Sequence, residues 1–319
     1  MMNPLGRLLD EGQYLVSDGA MATELEKRGV DTNSALWSAE ALIKNPEAVI
    51  AVHRSYFEAG AAIATTDSYQ ATPQAFIEAG FTAQQAGQFI TQSVQLAQAG
   101  RDEYLANLPR AERLAKGSAR LIAGSVGPYG AYLADGSEYR GDYALTDAQY
   151  RDFHRERMQL LADAGVDLFA FETMPNAAEV RALCGLLTDE FPGMTAWLAL
   201  SVGTSHTALC DGTPLAEVLA LANDCAQITA VGINCTAEEN VTATLHTLAP
   251  LTAKPIIVYP NNGDIYNPVD KSWQTNPNAR SFAALAPEWQ AAGASIIGGC
   301  CRSTPADIAG MAAALAAQD

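Results

Sequence analysis

Ile228-Thr229-Ala230-Val231-Gly232-Ile233-Asn234-Cys235 is a run of β-branched and small apolar residues that stops at an amide and a thiol. Its apolar positions do not alternate with polar ones. It therefore reads as a strand buried on both faces, the pattern of a parallel sheet covered by helices. Seven other runs share this character: Tyr14 to Ser17, Ala62 to Thr66, Leu121 to Ser125, Asp167 to Phe171, Ala196 to Ser201, Pro255 to Tyr259 and Ser295 to Gly298. Each ends in small or polar residues and precedes a stretch compatible with a helix.

The intervening segments carry helix-start signals. Thr72-Pro73, Thr213-Pro214 and Thr304-Pro305 each place a capping hydroxyl before a proline suited to the first helical position. Thr82 with Gln85, and Thr146 with Gln149, have the spacing of a capping box. Ala83 to Leu108, rich in Ala, Gln and Leu, is expected to be the longest helix and to link the second and third strands. Eight strand-helix units with no Pro/Ser/Gly-rich linker between halves imply an α/β protein whose residues 1–319 form a single (β/α)8 TIM barrel. An open doubly wound sheet is the alternative, and it lacks a G-x-G-x-x-G turn after the first strand.

Composition narrows the function. Hydrophobic residues make up 49% and charged residues 17%, ample for a large core. Nineteen Lys and Arg against 36 Asp and Glu give a net charge of -17, which disfavours nucleic acid or an anionic membrane as a partner. The first residues show no basic segment followed by an apolar run, and nowhere do about 18 uncharged apolar residues run together, so a cytoplasmic protein is expected. In that setting six cysteines point to buried thiols, catalysis or metal rather than to disulfides.

A barrel places its chemistry at the C-terminal ends of its strands. Those ends here carry Asp18, Thr66, Glu172, Cys235, Asn261 and the pair Cys300-Cys301. Cys235 follows the sixth strand and Cys300-Cys301 the eighth, so the three thiols face one rim. Gly298-Gly299 supplies the backbone freedom for adjacent cysteines to reach one point. Zinc suits such a site, because catalytic zinc takes three protein ligands and keeps a fourth position open. Three thiolates on a dication leave a net charge of about -1, which suits alkylation of a bound sulfur better than hydrolysis. Cys184 and Cys225 fall in helix-like segments and read as core, while Cys210 lies in a loop after the fifth strand without an assigned partner.

With Asp18-Gly19-Ala20-Met21, Phe171-Glu172-Thr173, Gly232-Ile233-Asn234-Cys235 and Gly298-Gly299-Cys300-Cys301 each after a strand, the chain resembles the homocysteine S-methyltransferase family over nearly its whole length. The resemblance implies a zinc-bearing barrel with one ion per chain on Cys235, Cys300 and Cys301. It implies that Asp18 and Glu172 hold the amino group of L-homocysteine, with Gly19, Thr66, Asn234 and Trp273 also in the substrate site. Val258-Tyr259-Pro260-Asn261-Asn262-Gly263 followed by Trp273 resembles the branch that takes its methyl group from S-methylmethionine and makes methionine. The folate and corrinoid modules of the large cobalamin-dependent relatives have no counterpart in these 319 residues. Zinc would keep the substrate thiol deprotonated near neutral pH, and the barrel would align it with the donor methyl group.

Other readings of single residues stand beside these. Asp18 could cap the following helix, Glu172 could serve as a cap or ion-pair partner, and Trp273 could anchor a loop on the rim. The connections from Tyr129 to Tyr143 and from Asn261 to Arg280 could cover the mouth as lids, with Trp273 and Tyr129 facing a sulfonium by cation-π contact. His53, His154 and His246 read as packing or surface groups, and His206 is the histidine nearest the expected mouth. The rivals are a betaine- or S-adenosylmethionine-using enzyme, a methyltransferase for another thiol or a selenol such as selenocysteine, and a non-catalytic zinc or thiol-binding protein. A zinc hydrolase would want His and carboxylate ligands, which the chain does not offer at ligand spacing.

Overall fold

A computed structural model describes residues 3–11, 14–32, 36–117, 119–267 and 272–318. Eight parallel strands form one sheet: Leu15–Val16, Ile63–Thr65, Leu121–Val126, Leu168–Met174, Ala196–Leu200, Ile228–Asn234, Ile256–Tyr259 and Ala294–Ile297. The second to seventh pair in sequence, the eighth lies between the seventh and the first, and a parallel bridge from Ser17 to Ile63 joins first to second. Backbone bonds from Ala62 N–H to Val16 O (2.7 Å) and Asp18 N–H to Ile63 O (3.0 Å) reinforce that seam, so the sheet closes into a barrel. The eight runs read from the sequence are these strands. The fourth runs past Phe171 to Met174, with its pairing register shifted between those residues.

The lack of alternation in the sequence has a direct cause. Ile63, Ala123, Ala170, Ala199, Ala230 and Ile257 pack together inside the barrel, while Phe169, Phe171, Leu198, Val231 and Ile233 pack outward under the helices. Both faces are apolar because both are covered. Leu5 and Leu8, on the helix Pro4–Glu11 that precedes the first strand, join the interior cluster and seal the N-terminal end. Gly232 matters for a close approach: a Cβ there would sit 1.7 Å from the Ile257 carbonyl oxygen of the seventh strand.

Most helix-start signals act as read. Thr72 caps Pro73–Glu78, and Thr82 and Thr146 form complete capping boxes with Gln85 and Gln149. Thr304 does the same with Asp307. The longest helix is Ala83–Ala106, between the second and third strands as expected. Thr213 differs. The helix begins at Leu215 without a side-chain cap, because the Thr213 N–H and hydroxyl both donate to the Asp211 carboxylate at 2.8 and 2.9 Å. Among the described residues no helix is long and apolar enough to cross a membrane.

Candidate metal and substrate site

Alternate residues along the strands point inward, and at the C-terminal rim that parity delivers polar groups instead of alkyl ones. Cys235 follows the sixth strand with φ 51°, in the left-handed region, and its N–H donates to Tyr259 O at 3.1 Å. After the eighth strand, Cys300 N–H donates to Pro260 O (2.7 Å) and Cys301 N–H to the Asn261 side-chain oxygen (3.1 Å). Ser303 Oγ donates to Cys300 O (2.6 Å), and Arg302, at φ 66°, pairs with Asp264 at 3.1 Å. The loops after the sixth, seventh and eighth strands are thus stitched together by backbone bonds.

Gly298 and Gly299 serve this arrangement differently from the sequence expectation. Neither adopts a positive φ, and the left-handed residues are Cys235 and Arg302. The glycines are needed for space: a Cβ on Gly298 would lie 2.8 Å from Ser17 Cβ, and one on Gly299 2.4 Å from Ser303 Oγ.

The ligand atoms of Cys235, Cys300 and Cys301 all lie within 4.8 Å of one another, with 3.7 Å between the sulfurs of Cys235 and Cys301. A tetrahedral site with metal–sulfur bonds of about 2.3 Å spaces its sulfurs about 3.8 Å apart, so the three thiols fit around one thiophilic ion. Hydrogen bonds from Cys235 and Cys300 hold the Cys301 thiol well below its ordinary pKa, while hydrogen bonds with Cys235 and Cys301, and then burial, hold Cys300 well above.

Two buried carboxylates face the same space. Asp18, 6% exposed, accepts from Thr65 N–H (2.7 Å), from the Thr65 hydroxyl and from Ser17 Oγ. It does not cap the next helix, whose N-cap is Ala20 with no side-chain bond. Glu172, 7% exposed, accepts a short bond from Ser125 Oγ and lies against Tyr259, whose hydroxyl also accepts from Trp197 Nε1 at 3.0 Å. Burial raises both carboxyl groups to about 7, and for Asp18 the charge of Glu172 adds to the effect. Two carboxylates without a cationic side chain bonded to either make a site for a bound cation.

The remaining expected residues take varied positions. Gly19 packs so tightly that a Cβ would meet Ser303 Oγ at 2.7 Å. Thr66 bonds Ser68 Oγ and accepts from Ser125 N–H, so Thr65 is the threonine on Asp18. The Asn234 amide accepts from Thr173 N–H (2.8 Å) and donates to Thr173 Oγ1 (2.9 Å), holding Thr173 at φ 59° beside Glu172. Trp273 is half-buried and opposes Tyr266 in a hairpin of Ile265–Asn267 with Ser272–Gln274; part of that second connection, 268–271, lies outside the described residues. Cys210 bonds Ser201 Oγ at 3.3 Å, and Cys184 and Cys225 are buried in the helical layer. Of the histidines, His53 and His154 are buried, His246 is exposed and His206 sits 3.5 Å from Thr244 Oγ1.

Sequence reasoning missed the contents of the first long connection. It folds as a helix, Tyr129–Leu133, and a 3-10 turn, Ser137–Tyr139. Glu179 ties down both ends, accepting from Tyr129 N–H (2.7 Å) and Tyr143 hydroxyl (2.6 Å). The turn brings the Tyr139 hydroxyl to 3.2 Å from Cys235 Sγ and buries Glu138, whose carboxyl burial raises to about 7. Tyr129 packs with Tyr132, Tyr143 and Phe153 instead of standing free.

Comparison with known proteins gives concordant findings. The family model described as homocysteine S-methyltransferase matches residues 15–315. The chain is 50% identical to the homocysteine S-methyltransferase of Escherichia coli (strain K12) and 44% identical to YbgG of Bacillus subtilis (strain 168), covering 98% of each chain in both cases. In solved structures it is similar to the metallated form of the E. coli homocysteine methyltransferase MmuM, with a TM-score of 0.87, 48% identity, and coverage of 98% of this chain and 99% of that one.

Proposed function

The chain belongs to the homocysteine S-methyltransferase family, and from that premise we propose that it moves a methyl group from the sulfonium S-methylmethionine to the sulfur of L-homocysteine, using one zinc ion on Cys235, Cys300 and Cys301. The observation that carries this reading is the thiol cluster, with 3.7 Å between Cys235 and Cys301, beside two buried carboxylates that lack a bonded cationic side chain. An all-thiolate donor set favours a thiophilic ion over Mg or Ca, and among such ions zinc brings no redox chemistry.

Bound there, zinc would lower the proton affinity of the substrate thiol and leave its sulfur electron-rich. The protein's residues do the rest. Asp18 and Glu172 take the ammonium of homocysteine; a cation between them lowers both raised pKa values and keeps both groups ionised. Thr65 and Ser125 hold those carboxylates in place. Asn234 fixes the bulge at Thr173, and Asn261 fixes the backbone at Cys301. Trp273 and the first long connection would cover the donor from the rim and exclude water.

The step is an in-line displacement. The pair on the homocysteine sulfur forms a new S–CH3 bond as the donor's S–CH3 bond breaks, and the breaking pair returns to the donor sulfur. S-methylmethionine and homocysteine give two methionines and one proton. No charge accumulates on an oxyanion, so alignment carries most of the work. Such an enzyme belongs in the cytoplasm, where thiols stay reduced.

The test is methionine formation by protein of known zinc content, with homocysteine and S-methylmethionine, S-adenosylmethionine or betaine in separate reactions. Methionine should form with the sulfonium donors, S-methylmethionine best. Cys301→Ala should lose both zinc and product. Failure of every donor with one zinc bound per chain would sink the assignment.

A further inference from the structure

We propose that Glu138, with Tyr139 beside it, forms the subsite that recognises the positively charged sulfur of the methyl donor. This deepens the donor reading above and rests on it. Glu138 is 8% exposed, and its Oε2 is buried without a hydrogen-bond partner. Among the described residues the other buried carboxylate oxygen in that condition belongs to Asp67, whose second oxygen accepts from Ser38 Oγ at 2.6 Å. Glu138 lies within electrostatic reach of Cys235, Cys301 and Tyr69.

A buried carboxylate beside thiolates is costly to keep ionised without a counter-charge. The protein's nearest candidate is Arg140, and it is committed elsewhere. Its Nε donates to Asp142 at 2.9 Å and its other nitrogens to Asp135 O and Ser137 Oγ, on the solvent side. A ligand cation would supply the close counter-charge that Arg140, held on the solvent side, does not. Homocysteine offers one cation, its ammonium, and Asp18 and Glu172 on the first and fourth strands already suit it. The donor brings a second ammonium and a sulfonium, and it is the sulfonium whose charge sits at the sulfur that must face the acceptor thiol. Glu138 lies on the connection that reaches the thiol cluster through Tyr139, and its charge acts on Cys235 and Cys301.

Two contacts hold the turn against its neighbours. The Tyr139 hydroxyl bonds Cys235 Sγ at 3.2 Å, and a Cβ on Gly130 would meet Glu138 N at 2.6 Å, so the helix Tyr129–Leu133 presses directly on the turn. The sulfonium charge vanishes when the methyl group leaves, since the departing thioether is neutral. A carboxylate here would hold the donor and release the methionine it becomes.

The experiment uses the zinc-loaded enzyme. Steady-state kinetics in Glu138→Gln, near-isosteric and neutral, should raise KM for S-methylmethionine by about tenfold or more. KM for homocysteine and the zinc content should stay at wild-type values. Tetramethylammonium, an unreactive cation of similar size, should compete with the donor in the wild type and lose that effect in Glu138→Gln. Glu138→Asp, which keeps the charge, should recover part of both. Equal rises in the two KM values, no rise in either, or inhibition by tetramethylammonium surviving in Glu138→Gln would each overturn the proposal. Failure of the donor reading would appear separately, as a wild-type enzyme that makes no methionine from a sulfonium.

Discussion

Asp18 is buried, accepts hydrogen bonds from Thr65 and Ser17, and still has its carboxyl raised from an ordinary 3.8 to about 7. Desolvation outweighs those bonds because no cation offsets it. The folded chain therefore retains, between about pH 4 and about pH 7, a proton that the unfolded chain has released. Stability linked to this group is full below the lower value and is lost as pH rises through the upper one. Glu172 titrates in the same sense. Asp18→Asn removes the first of these titrations, so urea unfolding of homocysteine-free enzyme at about pH 5 and about pH 8 should show the wild type losing stability relative to the variant as pH rises. Added homocysteine should recover that loss in the wild type only. A wild type that gained relative to Asn on going to higher pH would mean that Asp18 already has a cationic partner. Backbone strain concentrates at the same rim: Thr173, Cys235 and Arg302 all hold positive φ without being glycine. Such residues cost on the order of 1–3 kcal/mol each and persist because their surroundings fix them, as Asn234 fixes Thr173.

At the scale of strands and helices, the sequence carried the information wherever one periodicity or one local bond decides the outcome. Ile228–Asn234 has the bounds read for it, and the boxes at Thr82 and Thr146 formed because donor and acceptor lie within one turn. Thr213 misled because Asp211, two residues away, competes for the same hydroxyl. Glu138 and Tyr139 were illegible for another reason: their place depends on Glu179, which is distant in sequence and binds both ends of their connection. The three cysteines were legible because Cys235 directly follows the sixth strand and Cys300-Cys301 lie just past the eighth, beyond Gly298-Gly299. These differences make contrasting predictions. Gly232→Ala would drive a methyl group into the Ile257 carbonyl at 1.7 Å, parting the sixth and seventh strands where Cys235 begins. Loss of several kcal/mol, on the order of the worst core overpacking, and loss of metal are expected in urea titrations and zinc analysis. Thr82→Ala removes only an exposed box at the far side of a helix and should cost about 1 kcal/mol with KM and kcat unchanged. Equal damage from both would mean that the seam is more compliant than its geometry implies.

Across the whole molecule, the two ends of the barrel divide the labour. Leu5 and Leu8 seal the N-terminal end with hydrocarbon, while the C-terminal end gathers Asp18, Glu138, Glu172 and three thiols. That rim belongs to a chain of net charge -17, so an approaching cation meets attraction from both the site and the surface behind it. S-methylmethionine carries a sulfonium, an ammonium and a carboxylate, one net positive charge, whereas homocysteine and betaine are neutral overall. Screening shortens to about 10 Å at 0.1 M salt, so raising salt from about 20 mM to about 300 mM should suppress the surface contribution and leave contacts inside the mouth largely intact. The value of kcat/KM for S-methylmethionine should therefore fall a few-fold over that range, while that for homocysteine, measured with donor saturating, stays flat. Glu138→Gln should keep this salt dependence while losing affinity, because the long-range field comes from the many surface carboxylates and the short-range one from a single buried group. A flat profile for the donor in the wild type would confine the electrostatic recognition to the mouth and leave the acidity of the surface without a part in catalysis.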